Sequence, residues 1–205
     1  MLGNLFSASG ISELLLSLPA VLWAITFHEY CHGLAAKMLG DTTAERAGRL
    51  SLNPLDHLDP LGALCLLLFR FGWAKPVPID TRYFKHPKRD IIIVSLAGVA
   101  GNMLTAFVCA QLARFAPELF GSWAAQQFIL LMIYINLGLA AFNLIPIPPL
   151  DGSRILYVLL PYQWMKYYYW LERYGMFVIV GLLVMGVFPY LMRPIMALLF
   201  HILLI

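Results

Sequence analysis

The sequence predicts an all-α polytopic membrane protein, and composition, apolar segment length and the placement of basic residues all support this fold class. Of the 205 residues, 61% are hydrophobic and only 12% are charged. A soluble domain of this length has too small a core to bury so much apolar surface, so lipid is the expected surrounding. The net charge is only +3, and the basic residues form no solvated basic face, which argues against nucleic-acid binding.

Four apolar segments are long enough, or nearly so, to cross a bilayer as helices. The first begins at Leu14 and extends to about Leu39, where Gly40 offers a C-cap. The second, third and fourth segments are 91–113, a stretch within 119–150, and 174–192. Arg193-Pro194 is expected to interrupt the fourth segment. The tail at 195–205 is compatible with a continued helix or an interfacial segment.

The remaining segments complete a single predicted domain, 1–205. Residues 60–69 are apolar but too short to span as a helix, so a re-entrant segment, a strand and a short packed helix all remain open. They belong to a small irregular insertion at 41–90, and the C-terminal helix and tail occupy 174–205. The proline-rich piece at 75–78 is a candidate edge strand that could pair with an unfolding substrate.

The distribution of lysine and arginine predicts the orientation in the membrane. Basic residues are abundant between the first and second spans and again between the third and fourth, whereas 1–10 and 117–122 contain none. Because basic loops stay in the cytoplasm, both basic segments are predicted to be cytoplasmic and the N-terminus to be outside. The basic residues are Arg46, Arg49, Arg70, Lys75, Arg82, Lys85, Lys88 and Arg89, followed by Arg154, Lys166 and Arg173.

The polar interruption of the first span reads His28-Glu29-Tyr30-Cys31-His32. Positions i and i+4 lie on one face of a helix, so both imidazoles can bind a single ion. Glu29 lies about 100° further round the helix and is placed to act as a general base without binding the metal. This HExxH arrangement is typical of zinc proteases. The alternative is a buried polar network that only joins helices, which is costly in lipid unless it is compensated.

Zinc needs a third protein ligand, and Asp151 is the expected one. It ends the third apolar stretch, just after Pro146, Pro148 and Pro149, which must break the helix. Of the other downstream acids, Glu118 is predicted on the opposite side of the membrane and Glu172 lies in a basic, aromatic loop.

Topology supports the same ligand. The apolar residues before His28 correspond to ~20 Å of helix at about 1.5 Å per residue. A chain that enters from outside therefore places His28 and His32 in the cytoplasmic half of the bilayer. The third span also runs inward, so Asp151 is expected near the same face.

These residues resemble those of the site-2 protease family of intramembrane metalloproteases. The resemblance rests on HEYCH at 28–32 and NLIPIPPLDG at 143–152, and the segments at 48–62 and 73–78 are similar to those of small bacterial members. It implies one zinc ion per chain bound by His28, His32 and Asp151, with Glu29 activating water. It also implies a cell-membrane enzyme that hydrolyses membrane-embedded protein substrates in regulated intramembrane proteolysis.

One motif departs from the family pattern. The second-span motif AGPxxN here reads AGVAGN at 97–102, without its proline. The resemblance suggests that Asn102 steadies the substrate carbonyl or its oxyanion, and an interhelical hydrogen bond is an equal alternative. Asn143 is a candidate to orient Asp151, to line the cleft or to cap the broken helix. Gly98 and Gly101 are expected to be close helix contacts.

Other residues and other functions are possible alternatives to a zinc-protease site. His57 and Asp59 form a possible second polar cluster, but a turn is favoured because Asn-Pro and Asp-Pro sequences shape turns. A catalytically idle relative that binds partner helices is the leading alternative function, and the intact HExxH motif argues against it. A zinc transporter would need acidic or histidine residues spread along its pathway, and the spans offer one such cluster. The sequence leaves the oligomeric state and the identity of the substrate open.

Overall fold

The structure, a computed structural model, describes residues 8–69 and 72–204. All the regular secondary-structure elements in this part of the chain are helices. The predicted all-α class is therefore confirmed. Among the described residues, the only β-bridge is an isolated antiparallel one that joins Leu58 and Ala74. The helices are α1 (Ala8–Met38), α2 (Thr43–Arg46), α3 (Pro60–Phe69), α4 (Pro87–Phe115), α5 (Trp123–Asn143), α6 (Asp151–Leu159), α7 (Met165–Val184) and α8 (Phe188–Leu204).

Two described helices, α4 and α5, are long and apolar enough to cross a membrane. The pair α7 and α8 meets the same criterion when taken together, although the two helices are bent by 93° relative to each other. The described part of α1 is not among these candidates, and residues 1–7 lie outside the described residues. Two or three membrane-spanning helices are thus supported, and the first of the four predicted spans stays a prediction.

The centre of the bundle is formed by α1, α4 and α5, each of which packs against the other two. Ala140 and Ala141 of α5 are fully buried, and small residues let membrane helices approach closely. Leu199 and Leu203 of α8 belong to the same apolar cluster as α4 and α5. Residues 195–204 therefore lie within the helix α8, which packs on the bundle.

The C-terminal helical region breaks at 185–187, so the predicted break at Arg193-Pro194 is wrong. Gly186 adopts a φ of 68°, a left-handed conformation that glycine reaches at little cost. The amide of Val187 donates to the Leu182 carbonyl, and the amide of Gly186 donates to that of Leu183. This is the Schellman pattern that ends helices. Pro194 instead lies inside α8.

The predicted cap at the end of α1 is confirmed. Gly40 has a φ of 106°. Its amide donates to the carbonyl of Lys37, and the amide of Asp41 donates to that of Ala36. The same Schellman pattern therefore ends α1 directly after its last helical turn.

The insertion between α1 and α4 contains α2, α3 and irregular segments joined by hydrogen bonds. Asp41 is fully buried and accepts hydrogen bonds from the amides of Thr43 (2.9 Å) and Asp80 (2.7 Å). The amide of Lys75 donates to the carbonyl of His57 (2.9 Å). Residues 60–69 form the helix α3, one of the three alternatives considered, and no strand forms at 75–78. The cytoplasmic location of the insertion stays a prediction.

The packing of α7 against the segment before Asp151 yields a stability prediction. A Cβ atom at Gly175 would overlap the backbone carbonyl oxygen of Pro148, whereas one at Gly181 on the same helix would meet nothing within 4 Å. We expect Gly175→Ala to destabilise the protein by roughly 1–3 kcal/mol, because backbone cannot rotate away as a side chain can. Gly181→Ala is the control and should unfold at or above the parent temperature. Equal melting temperatures for both variants in detergent would contradict this packing.

Candidate metal centre and active site

The two histidines of the HExxH motif lie one turn apart on α1, and each is only 5% exposed. Their Nε2 atoms are 2.9 Å apart, and the rings meet nearly edge to face at 89°. The helical spacing thus brings both imidazoles to one point, as predicted.

The Nδ1 atom of each imidazole faces an oxygen that accepts a hydrogen bond. His32 Nδ1 lies 2.7 Å from the carbonyl oxygen of Val94, and His28 Nδ1 lies 2.7 Å from Oδ1 of Asn102. The orientation of the Asn102 amide follows from its Nδ2, which donates to the carbonyl of Ala24. Nδ1 therefore carries the proton in both neutral rings, and each Nε2 presents a lone pair to the site.

Asp151 completes this cluster from a distant part of the sequence. The helix break after Asn143 ends at Leu150, and Asp151 is the first residue of α6. Asp151 is 8% exposed, and its Oδ2 lies 3.1 Å from Nε2 of His28 and 3.1 Å from Nε2 of His32. The structure therefore brings together the three ligands predicted from the sequence.

The chemistry of this donor set fits a zinc ion. The three ligand atoms lie within 4.8 Å of one another. Two deprotonated nitrogens and a carboxylate oxygen bring no proton of their own, so burying them together needs a shared proton or a cation. Two histidines and one carboxylate are a known ligand set of catalytic zinc, which keeps a further position open. Within the described residues, no other group of metal-ligating side chains meets the same criterion.

Glu29 lines the same cleft as His28, His32 and Asp151 and is not part of their three-residue cluster. Its Oε2 accepts a hydrogen bond of 2.9 Å from the amide of Val77. Val77 stands between Pro76 and Pro78, and proline has no N–H, so this amide is the one backbone donor of the three residues. The carboxylate is thus half-buried against the segment 72–79, beside the two histidines.

A cavity of about 280 Å³ joins these groups. It is lined by the three candidate ligand residues, by Glu29, by six residues of the segment 72–79, and by Asn143 and Arg154. Asn143 Nδ2 donates to the carbonyl of Leu139 within α5 (3.1 Å), and the structure gives Asn143 no hydrogen bond to Asp151. Of the three roles considered for Asn143, lining the cleft and capping the end of α5 both agree with its position.

Asn102 is fully buried and connects three helices. Besides its contact with His28, its Nδ2 donates to the carbonyl of Ala24 (3.0 Å) and to Oδ1 of Asn136 (2.9 Å). Both amide hydrogens are therefore used inside the bundle. Asn136, also fully buried, was not identified from the sequence. A lone amide in an apolar span is the signal that could have revealed it.

Close approach of α4 to α1 depends on two glycines, as expected. A Cβ atom at Gly98 would lie 2.6 Å from Cε1 of His28 and 2.6 Å from Nε2 of His32. One at Gly101 would press against Sγ of Cys31. The imidazoles therefore occupy the space that any larger residue at position 98 would fill.

The other candidate residues lie outside this cluster. His57 Nε2 is 2.8 Å from the carbonyl oxygen of Ser51, and Asp59 accepts a hydrogen bond from the amide of Gly62 at the start of α3. These contacts agree with the turn interpretation of both residues. Neither Glu118 nor Glu172 approaches the metal cluster.

Comparisons with known proteins are consistent with this site. The model of "Peptidase family M50" matches residues 119–185, which include Asp151. "Putative zinc metalloprotease YwhC" of Bacillus subtilis is 37% identical over 177 residues, or 83% of this chain and 81% of that protein. "Putative zinc metalloprotease MJ0611" of Methanocaldococcus jannaschii is 32% identical over 69% of each chain. "Putative zinc metalloprotease Rip2" of Mycolicibacterium smegmatis is 30% identical over 72% of this chain and 58% of its own.

No solved structure matches the chain. The match to YwhC nevertheless extends over most of both sequences. On this similarity, the chain belongs to peptidase family M50, the site-2 protease family of zinc metalloproteases.

Proposed function

We propose that this protein is an intramembrane protease that hydrolyses peptide bonds of membrane-embedded substrates, with Glu29 as its catalytic base. The observation that carries the proposal is the convergence of two Nε2 lone pairs and one carboxylate oxygen beside the carboxylate of Glu29. His28, His32 and Asp151 are the proposed ligands of one zinc ion per chain. When bound, zinc supplies Lewis-acid chemistry that polarises the scissile carbonyl and lowers the pKa of the attacking water.

Glu29 is suited to move the proton of that water. One of its carboxylate oxygens, Oε2, is held by the amide of Val77, which leaves Oε1 for the proton transfer. The same carboxyl group can then donate the proton to the leaving amine.

Asn143 and the segment 72–79 are the proposed substrate contacts. The amide nitrogen of Asn143 carries two hydrogens, and Leu139 accepts one of them, so a hydrogen and the Oδ1 atom remain for a peptide. A substrate helix must unwind locally before it reacts, because its amides are otherwise hydrogen-bonded within the helix. Pairing of the unwound chain with 75–78 remains a proposal.

The location of the site supports an orientation with the N-terminus outside and the active site in the cytoplasmic half of the bilayer. Gly98, which touches both imidazoles, lies eleven residues after Pro87, or roughly 16 Å along α4. The helices α4 and α7 begin at the side where the basic loops lie. Cleavage is therefore proposed near the cytoplasmic face, with membrane proteins as the substrates.

Glu29→Gln tests the assignment of the base. Glutamine retains an acceptor for the amide of Val77 but cannot take a proton, so cleavage should fall by roughly 10²–10⁴-fold with zinc unchanged. Membrane-protein fragments from cells that express the parent or the variant are compared by mass spectrometry, with Glu172→Gln as the control. Fragments that persist with Glu29→Gln would exclude Glu29 as the base.

Asp151→Ala tests the third ligand. Elemental analysis should find about one zinc per parent chain and much less in the variant, because two imidazoles alone hold zinc weakly. Glu172→Ala, which removes an acid outside the cluster, should retain the metal. Undiminished zinc in folded Asp151→Ala would require another ligand.

Asn102→Leu separates the two roles considered for this residue. If Asn102 positions His28, its loss should weaken zinc affinity by roughly 10–100-fold. Asn136→Leu is the matched control, because it disturbs the same amide network without removing the partner of His28. Normal zinc affinity with lost cleavage in Asn102→Leu would instead support a contact with the oxyanion.

A further inference from the structure

Another cavity, of about 1040 Å³, lies where α4 and α7 begin. Its walls include Lys88 and Ile91 of α4, Tyr157 of α6, and Lys166 and Tyr169 of α7. None of the proposed metal ligands lines it, so it is separate from the catalytic cleft.

The charge of this cavity is uniformly positive. Lys88 and Lys166 both line it, and none of the described residues in its wall is acidic. The acid in the first turn of α4, Asp90, is buried and forms an ion pair with Arg89 at 2.8 Å. Asp90 therefore does not neutralise the two lysines.

The rest of the wall is apolar or aromatic. Val158, Leu160 and Met165 contribute aliphatic surface, and tyrosines stand among them. Both α4 and the bent pair α7–α8 are candidate membrane spans, and both begin here. Tyr162 is 93% exposed, and exposed aromatic residues mark the membrane interface. The cavity thus has a cationic part and an apolar part at the level where helices enter lipid.

We propose that this cavity binds one anionic phospholipid, whose phosphate group contacts Lys88 and Lys166 and whose acyl chains lie along the aliphatic wall. A free anion would not use the apolar part of the cavity, and a zwitterionic lipid would gain less from two lysines without a nearby acid. The proposal concerns a lipid-binding site outside the catalytic cleft, and it does not require the protease assignment.

The position of α6 links this cavity to the metal centre. Asp151 begins the helix, and Tyr157, six residues later, lines the lipid cavity. A smaller cavity of about 220 Å³ lies between the two sites and shares Tyr157 with the lipid cavity and Arg154 with the catalytic cleft. A lipid bound in this cavity would therefore contact α6, the same helix that carries Asp151.

Native mass spectrometry of the detergent-purified protein tests the proposal with phosphatidylglycerol and phosphatidylcholine. We expect one phosphatidylglycerol per chain, bound at least about tenfold more tightly than phosphatidylcholine, since each lysine contributes about fivefold. The double variant Lys88→Gln/Lys166→Gln should lose this preference. Lys85→Gln/Arg173→Gln removes the same charge from two exposed residues that line none of the three cavities, and it should keep the preference.

Three results would overturn the proposal: equal affinity for both lipids in the parent, an unchanged preference in Lys88→Gln/Lys166→Gln, or displacement of the lipid by inorganic phosphate at similar concentration. The melting temperature of every variant in detergent is compared with that of the parent to show that each one is folded. Because lipid binding is read without turnover, its failure is distinguishable from failure of the proposed protease.

Discussion

Two imidazoles and a carboxylate are buried together in an apolar helix bundle, and most other features of the structure serve that arrangement. Such groups are costly in a medium of low polarity unless each lone pair and each proton has a partner. The Nδ1–H groups donate hydrogen bonds to the carbonyl oxygen of Val94 and to Oδ1 of Asn102. The Nε2 atoms therefore face Asp151. The lone pairs that remain on the two Nε2 atoms and on Asp151 are what make the centre a candidate metal site.

The three central helices are built to tolerate this polar interior. Gly98 lets α4 approach the imidazoles without a side chain between them. Asn102 and Asn136 join α4 to α1 and α5 through amide hydrogen bonds, so the position of His28 depends on the packing of all three helices. Rigid support of this kind is what orients metal-binding histidines in proteins.

Irregular backbone supplies the rest of the site. The segment between α5 and α6 delivers Asp151, and the segment 72–79 delivers the amide of Val77 to Glu29. Non-helical backbone is tolerated at membrane depth where protein or a water-filled cavity surrounds it. Both segments line the catalytic cleft, which is where water and an unwound peptide would need to enter.

The sequence by itself determined the all-α membrane class, the convergence of His28 and His32, the break before Asp151 and the cap at Gly40. All of these depend on residues close together in the chain, through helical period, proline and glycine. The break at Gly186 is also a local glycine cap, although the sequence interpretation had favoured a break at Arg193-Pro194. Tertiary structure decided the partners of Asn102 and the contact between Glu29 and Val77. These contacts join residues far apart in the chain, so they depend on which helix faces pack together, and local sequence does not encode that.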